Sequence, residues 1–431
     1  MSNVQTVVGL QWGDEGKGKI VDYLSEDASQ IARFQGGANA GHTVVVNGQK
    51  IVLHQIPSGI VHDDTTCLIG NGVVVDPGTL VEEMETLHEE GIDPEDRLLI
   101  SPSCHVVLPY HRLLDRSLDA LRSDDNDGEE IGTTGRGIGP SHADKVSYWG
   151  IRFSDLLQPE RFEKRVRMNY RLKGPLLQDI LDVEPPDPDE LIEEYVSYGQ
   201  HLSDYVRPVD QKLMEGLNND RPILLEGAQG TMLDVDLGTY PFVTASNASA
   251  AGIYSGTGMP HGSVDNVIVV GKAYTTRVGN GPFPTEDTGE EGQRLREKGN
   301  EFGSTTGRPR RCGWFDMVAA RYACRVNGAD QLAITKLDIL SGFDTVKVAT
   351  EYEIDGSVTE AFPPETHKLE QATPQYTELD GWQEDITECR SYDELPTAAQ
   401  DFLNFLEDHL DVPVKFIGVG PGRKQTICRS Y

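Results

Sequence analysis

Cysteine is scarce in this sequence, and the few cysteines stand far apart. Only 6 occur among 431 residues, and no two of them form a C-x-x-C pair. This spacing indicates neither a zinc site nor a disulfide framework. We therefore interpret the cysteines as free thiols in a reducing compartment.

Long apolar runs are also missing. No run approaches the roughly 20 residues that a helix needs to span a bilayer. Residues 1–3 lead directly into a predicted strand, without a basic and apolar leader segment. We expect a cytoplasmic protein that has no membrane partner.

Basic residues are few compared with acidic ones. The chain has 38 Lys and Arg against 70 Asp and Glu, which gives a net charge of -32. Such a charge argues against non-specific nucleic-acid binding and against attraction to anionic membranes. The acidic excess, as in residues 123–130, is typical of a solvated surface suited to high salt, and this remains a hypothesis about habitat.

Strand and helix patterns alternate along much of the chain. Strands are predicted before Gly9 and at 67–75, 97–101, 222–226, 267–270, 331–337 and 414–419, with a helix from Pro77 to about residue 90 capped by Asp76. Hairpins are predicted at 44–53 and 345–359. The pattern indicates an α/β fold with a large, mostly parallel central sheet, a P-loop-like nucleotide site and small antiparallel hairpins.

The middle of the chain differs in character from the rest. Helical patterns cover 109–122, 160–172 and 189–217, and together they predict a helical insertion at about 109–217. Residues 131–140 are too rich in glycine for a helix or an ordinary strand. We interpret them as a loop that closes on a ligand.

The stretch after the first strand is built to bind an anion. From Gly13 to Lys19 the spacing fits G-x-x-x-x-G-K, so backbone N–H groups, a helix N-terminus and lysines converge. The next residue is Ile20 instead of the Ser or Thr that would hold magnesium. A metal would need another ligand, and Asp14 is the nearest oxygen donor.

Two stretches carry a resemblance to a known family. Residues 11–19 (QWGDEGKGK) and 35–43 (QGGANAGHT) resemble adenylosuccinate synthetases, and the similarity continues to the last ten residues. The resemblance implies a single domain over 1–431 that joins IMP to L-aspartate. It also implies GTP as co-substrate, a 6-phosphoryl-IMP intermediate, one Mg²⁺ per subunit and a homodimer.

The resemblance also implies which residues act. Asp14 would take the N1 proton of IMP and bind Mg²⁺, while His42 would serve the transferring phosphoryl group as an acid or hydrogen-bond donor. The expected catalytic residues are Asp14, Lys17, His42 and Gln229. The expected IMP contacts are Asp14, Lys17, Asn39, His42, Thr134, Gln229, Thr244 and Arg308. The expected metal ligands are Asp14 and the carbonyl of Gly41.

The resemblance assigns separate groups of residues to aspartate and to GTP. A dicarboxylate needs hydroxyls and a guanidinium, and the resemblance places Ser304, Thr305, Thr306 and Arg308 there. Asp338 would accept from guanine N1–H and the 2-amino group, neither of which adenine offers. The expected GTP contacts are Gly13, Glu15, Gly16, Lys17, Gly18, Lys19, Gly41, His42, Thr43, Arg310, Lys336, Leu337, Asp338, Gly418 and Gly420.

One position departs from the family, and two other functions remain open. An arginine that reaches the IMP phosphate from the neighbouring subunit is replaced here by Tyr148, and Arg152 is the candidate to compensate.

A GTP-binding switch is one alternative function. A related P-loop-like ligase with another acceptor is the second.

Overall fold

The computed structural model describes residues 3–46, 49–124, 130–303, 307 and 309–429. Of residues 43, 45, 46, 49, 50 and 124 it describes the backbone alone. Four residues that were expected to bind ligands, Ser304, Thr305, Thr306 and Arg308, lie outside the described residues. In the part described, no helix has the length and apolar character needed to cross a membrane.

Strands and helices alternate from one end of the chain to the other. The strands are β1 Val4–Gly9, β2 Gln30–Arg33, β3 Gly36–Gly37, β4 His42–Val46, β5 Gln49–Leu53, β6 Thr66–Ile69, β7 Val73–Val75, β8 Leu98–Ile100, β9 His105–Val106, β10 Ile223–Glu226, β11 Asn266–Lys272, β12 Thr275–Arg277, β13 Arg311–Gly313, β14 Phe315–Asp316, β15 Gln331–Thr335, β16 Thr345–Ile354, β17 Ser357–Thr359, β18 Thr373–Asp380, β19 Val414–Gly418 and β20 Thr426–Cys428. The α-helices are α1 Lys17–Ser25, α2 Pro77–Glu89, α3 Pro109–Asp124, α4 Ile138–Val146, α5 Phe153–Leu156, α6 Pro159–Pro175, α7 Pro188–His201, α8 Val209–Asn218, α9 Gly252–Thr257, α10 Glu290–Gly299, α11 Met317–Asn327, α12 Thr366–Glu370 and α13 Thr397–Leu410.

A nine-stranded sheet organises the fold. Its order is β20-β19-β15-β11-β1-β10-β2-β6-β8, and every neighbouring pair is parallel except β19 with β20. β1 lies at the centre, where Val7 is level with Glu226 of β10 and Gly9 with Val270 of β11. The loops that follow these strands therefore meet at one edge of the sheet, where ligands of such sheets bind. The predicted fold class is confirmed.

Both faces of the central sheet are buried. Val8 of β1 packs into one apolar cluster with Leu225, while its neighbour Val7 packs into a second cluster with Leu224. Successive side chains of a strand point to opposite faces, so burying both requires the nearly continuous apolar runs that the sequence has here. The core thus fixes the direction in which the strand ends point.

Local signals set several element boundaries as predicted. The carboxylate of Asp76 accepts the N–H of Thr79 at 3.3 Å, and Pro77 opens α2. The two predicted hairpins form as β4 with β5 and as β16 with β17. The turn of the first hairpin, residues 47–48, lies outside the described residues.

Three predicted boundaries were wrong. The predicted strand at 67–75 is two strands in different sheets, β6 and β7, because the chain turns at Gly70 to Gly72. The stretch 189–217 is two helices, because α7 ends at His201 and α8 begins only after Pro208, its N-cap residue. The glycine-rich segment 131–140 is a loop only to Gly137, whose left-handed backbone (φ 78°) starts α4.

The middle of the chain is helical, as expected. The helices α3 to α8 occupy it, and its described residues contain no named strand. α4 and α6 are joined by an ion pair of 2.5 Å between Asp144 and Lys173. That a single domain covers 1–431 remains a prediction.

Candidate active site

The first glycine turn connects β1 to α1 through left-handed backbone. Gly13 and Gly16 have φ values of 87° and 84°, and Asp14 between them has 58°. Glycine adopts this region without steric cost, which explains the spacing of the motif. The turn exposes Asp14 and presents the N-terminus of α1, which begins at Lys17.

Glu15 organises this turn from inside. Its buried carboxylate accepts the backbone N–H groups of Gln11 at 3.0 Å and Gly13 at 2.9 Å, and it lies 2.5 Å from Lys17 Nζ. The side chain therefore serves the turn itself. Its expected contact with GTP would have to come from its backbone.

Asp14 faces a cation that is shared with a second carboxylate. Arg310 Nε lies 2.8 Å from Asp14 Oδ2, an ion pair in which the N–H is not aligned as a hydrogen bond. The same guanidinium donates from Nη1 to Glu301 Oε2 at 2.7 Å. The structure thus joins the proposed base to a residue expected to bind GTP.

Three of the expected IMP residues lie together beside the glycine-rich turn of residues 36–41. Gln229 donates from Nε2 to Asn39 Oδ1 at 3.2 Å, and Asn39 donates from Nδ2 to Thr244 at 3.5 Å. Gln229 has a left-handed backbone (φ 57°), and its Oε1 is buried without a partner among the described residues. An unpaired buried amide oxygen is costly, so this group is suited to a polar ligand.

His42 is held by a carboxylate that the motifs do not reveal. Nδ1 of His42 is hydrogen-bonded to Oε1 of Glu226, the last residue of β10. Glu226 also accepts the N–H of Ser58 at 2.8 Å and its hydroxyl at 3.0 Å. Nε2 of His42 has no hydrogen bond within the described segments, which leaves it available to a phosphate.

Burial and neighbouring charges shift the pKa values of His42 and Glu226. Burial lowers the pKa of His42, against the opposing effect of Glu226, and nearby Arg33 and Lys17 lower it further. Burial alone would raise the pKa of Glu226, but His42, Arg33 and the Ser58 N–H together bring it below its ordinary value. Glu226 is therefore ionised.

The expected guanine pocket lies where β15 and β19 end. Asp338 Oδ1 is buried and has no partner within the described ranges, and burial raises the pKa of this carboxyl. Lys19 donates to the carbonyls of Gly420 at 2.5 Å and Gln425 at 2.8 Å. Burial lowers the pKa of Lys19 to about 8, although Asp338 opposes the shift.

Glu301 and Lys272 are further buried charges that the sequence patterns missed. Lys272 ends β11, and its Nζ lies 3.1 Å from Glu301 Oε1. Lys336 has a left-handed backbone (φ 57°) and donates to the same oxygen at 2.6 Å. Burial raises the pKa of a carboxyl, but Lys272 and Lys336 hold that of Glu301 far below its usual range.

The remaining expected residues are only partly placed. Thr134 lies exposed on a loop whose N–H groups at Ile131 and Thr133 bind Asp119, at 3.0 and 2.8 Å. No contact recorded for the described residues joins Thr134 to Gln229. Residues 304–308, expected to bind aspartate and called the aspartate segment below, are described only at Gly307, whose N–H donates to the Gly303 carbonyl at 2.8 Å.

The expected metal ligands are Asp14 and the carbonyl of Gly41. The described residues contain no cluster of three or more His, Cys, Asp and Glu side chains that could hold an ion. Mg²⁺ commonly binds one or two carboxylates and takes its other ligands from phosphates and water. The exposed carboxylate of Asp14 and the exposed Gly41 fit such a site.

The fold and the glycine-rich turn after β1 define an α/β protein that binds an anionic ligand at one edge of its sheet. The adenylosuccinate synthetase family model matches residues 6–427. The adenylosuccinate synthetase of Salinibacter ruber is 51% identical over 98% of each chain, and that of a Picosynechococcus species is 50% identical over 99% of this chain and 95% of its own.

Solved structures agree with these relatives. The fully ligated adenylosuccinate synthetase of Plasmodium falciparum has a TM-score of 0.94, 39% identity and coverage of 99% of this chain and 100% of its own. This chain belongs to the adenylosuccinate synthetase family. It is a GTP-dependent ligase that uses Mg²⁺ and forms adenylosuccinate from IMP and L-aspartate.

Proposed function

We propose that Asp14 starts the reaction by accepting the N1 proton of IMP while its carboxylate and the carbonyl of Gly41 hold Mg²⁺. Mg²⁺ supplies charge neutralisation to the phosphates. The γ-phosphoryl group of GTP passes to the C6 oxygen of IMP and turns that oxygen into a good leaving group. The aspartate amine then displaces phosphate at C6.

The purine of IMP is placed against Gln229 and Asn39 in this proposal. The supporting observation is the buried Oε1 of Gln229, which has no hydrogen-bond donor among the described residues. Thr134 and Thr244 take the IMP phosphate, and Arg308 contacts IMP as well as aspartate. A ligand that supplies the missing hydrogen bond removes the cost of that buried oxygen.

The phosphoryl group is placed between Lys17 and His42. Lys17 stabilises the charge that develops on the transferring group. Glu226 accepts the Nδ1–H of His42 and its negative charge favours a second proton on Nε2, from which the imidazolium donates to the phosphoryl group, so Glu226 acts as a positioning residue. The contact of Nδ1 with the Glu226 carboxylate supports this arrangement.

The guanine of GTP is placed at Asp338. Its unpaired, buried Oδ1 suits the N1–H or 2-amino group of guanine. The other expected contacts complete the nucleotide site through backbone and cations: Gly13, Glu15, Gly16, Gly18, Lys19, Thr43, Arg310, Lys336, Leu337, Gly418 and Gly420. Aspartate is placed on Ser304, Thr305, Thr306 and Arg308.

We further propose that one domain spans 1–431 and that two copies form a cytoplasmic homodimer. Apolar side chains are exposed on the joined helices α4 and α6 and just beyond α4. Val146 is 72% exposed and Tyr148 is 90% exposed, and Leu172 is 47% exposed. A second copy would cover this surface. Arg152, which is exposed beside it, would then supply the charge that Tyr148 lacks.

A phosphate-release assay tests the proposed reaction. IMP, aspartate and GTP are left out in turn, and we expect release only when all three are present. Release without IMP or aspartate would favour the GTP-binding switch. Release with other amino acids in place of aspartate would favour a ligase with another acceptor.

The base assignment has its own test. Asp14→Asn should abolish turnover while GTP still binds in calorimetry, because the amide cannot accept the N1 proton. Retained turnover would refute the assignment. Dimer formation is measured separately by light scattering after size-exclusion chromatography.

A further inference from the structure

Glu301 is fully buried among three cationic side chains. Its Oε1 lies 2.6 Å from Lys336 Nζ and 3.1 Å from Lys272 Nζ, and its Oε2 lies 2.7 Å from Arg310 Nη1. The hydroxyl of Tyr274 also donates to Oε1 at 2.5 Å. One carboxylate therefore fixes the positions of four polar side chains.

These four side chains come from different parts of the site. Lys336 follows β15 and precedes Asp338, whereas Arg310 lies just before β13 and pairs with Asp14. Glu301 lies between α10 and the aspartate segment. It thus connects the proposed guanine end of the nucleotide site to the proposed phosphate and metal end.

The geometry favours a role beyond charge balance. Lysine and arginine have long side chains with many rotamers, and fixing them on ligand binding costs entropy. A cation that is already fixed before the ligand binds avoids this cost. The backbone carbonyl of Glu301 separately accepts the N–H of Arg310 at 2.9 Å. A change of the Glu301 side chain therefore leaves this backbone connection in place.

We propose that Glu301 is a positioning residue for GTP. Its carboxylate holds Lys336 beside Asp338 and Arg310 beside Asp14, so that both ends of the nucleotide meet cations already in place. The inference rests on the proposed placement of GTP at these residues. Lys272 takes part as the fully buried counter-charge that keeps the carboxylate ionised.

Glu301→Gln tests this role, because the amide keeps the shape and removes the charge. We expect the KM for GTP to rise by about 10- to 100-fold, the usual effect of losing hydrogen bonds to a charged group. The KM for IMP should stay near that of the unaltered chain. GDP has no γ-phosphoryl group to transfer, so calorimetry with GDP should show the same loss of affinity in the absence of turnover.

A matched control removes a carboxylate outside the site. Glu291 in α10 is half-exposed and pairs with Lys347 at 2.7 Å. Glu291→Gln should leave the KM for GTP unchanged. If it raised that KM as Glu301→Gln does, the effect would reflect a general change in charge and the inference would be overturned.

A double variant separates positioning from folding. Glu301→Gln alone leaves the buried ammonium of Lys272 with no carboxylate, whereas Lys272→Met with Glu301→Gln removes both charges together. We expect the double variant to regain melting temperature and to keep the raised KM for GTP. A normal KM for GTP in either variant, or a loss of kcat alone, would overturn the inference.

Failure of the proposed function gives a different result. In that case the unaltered chain would bind no GTP, or would release phosphate without IMP and aspartate. Failure of the present inference leaves the unaltered chain fully active and changes only the result for the variants.

Discussion

Replacing Glu226 by Gln tests how His42 acts on the phosphoryl group. The Glu226 carboxylate accepts from His42 Nδ1 and the Ser58 hydroxyl through Oε1 and from the Ser58 N–H through Oε2. An amide has one oxygen and one NH₂ group. The Ser58 N–H is always a donor, so the oxygen of Gln must face it and the NH₂ group must face His42.

The proton of His42 then moves. Nδ1 has to accept a hydrogen bond from the amide, so the neutral ring carries its proton on Nε2. Such a ring still donates a hydrogen bond to phosphate from Nε2. It no longer becomes a stable imidazolium, because a second proton on Nδ1 would meet the NH₂ group.

The size of the effect distinguishes the two roles expected for His42. If His42 is a general acid, kcat should fall by about 10²- to 10⁴-fold, the usual contribution of such a group. We expect this fall, with little change in the KM values. If a hydrogen bond from Nε2 to phosphate is all that His42 supplies, the neutral ring of the variant still makes it and kcat stays close to normal, and that result would refute the acid role.

The assay is steady-state turnover with saturating IMP, aspartate and GTP, together with thermal unfolding. Unfolding is needed because Glu226 is a counter-charge of the buried Arg33, whose Nε and Nη2 have no partner among the described residues. We expect a loss of about 1–3 kcal/mol in stability. Ser58→Ala is the matched control, since it removes the hydroxyl contacts with Glu226 at 3.0 Å and with His42 Nδ1 at 3.4 Å and leaves the Glu226 charge intact.

Two further predictions concern pH and salt. Because the pKa of Lys19 is lowered to about 8, the KM for GTP should rise as the pH passes that value and Lys19 loses its charge. Lys19→Met should raise this KM at lower pH and remove the change in KM near pH 8. Because the net charge is -32, the melting temperature should rise between about 0.1 M and about 1 M sodium chloride, where screening shortens from about 10 Å to about 3 Å. Stability that instead rises as salt is removed would exclude a surface suited to high salt.

Local chemistry explains what could be predicted from the sequence. The turn at Gly13 to Gly16 and the cap at Asp76 depend on neighbouring residues, and both formed as expected. The gathering of Asn39, Gln229 and Thr244 was expected from the family resemblance. The composition and strand patterns were sufficient for the class of fold.

The missed residues depend on contacts between distant parts of the chain. Glu226 meets His42 across 184 positions, and Glu301 meets Lys336 across 35. Among 70 acidic residues, no local feature marks these two as buried. Only the tertiary fold brings each of them to its partner.

The buried glutamates share one physical role, which is to hold basic side chains in place before substrates arrive. Glu15 holds Lys17, Glu226 holds His42, and Glu301 holds Lys336 and Arg310. A basic side chain that is buried without a partner would lose its hydration without compensation. When phosphates bind, they add a second partner to cations that are already positioned.

Arg310 differs from the other basic side chains, because it also forms an ion pair with Asp14, the expected metal ligand. A divalent ion that binds Asp14 competes with this guanidinium, so we expect Mn²⁺ to bind the free chain weakly and more tightly when GDP is present. Arg310→Met should strengthen Mn²⁺ binding to the free chain, by about fivefold for an ion pair worth about 1 kcal/mol, and weaken GDP binding. Electron paramagnetic resonance titration of Mn²⁺ measures both effects. Equal Mn²⁺ affinity in the two chains would show that the Arg310–Asp14 pair does not oppose the metal.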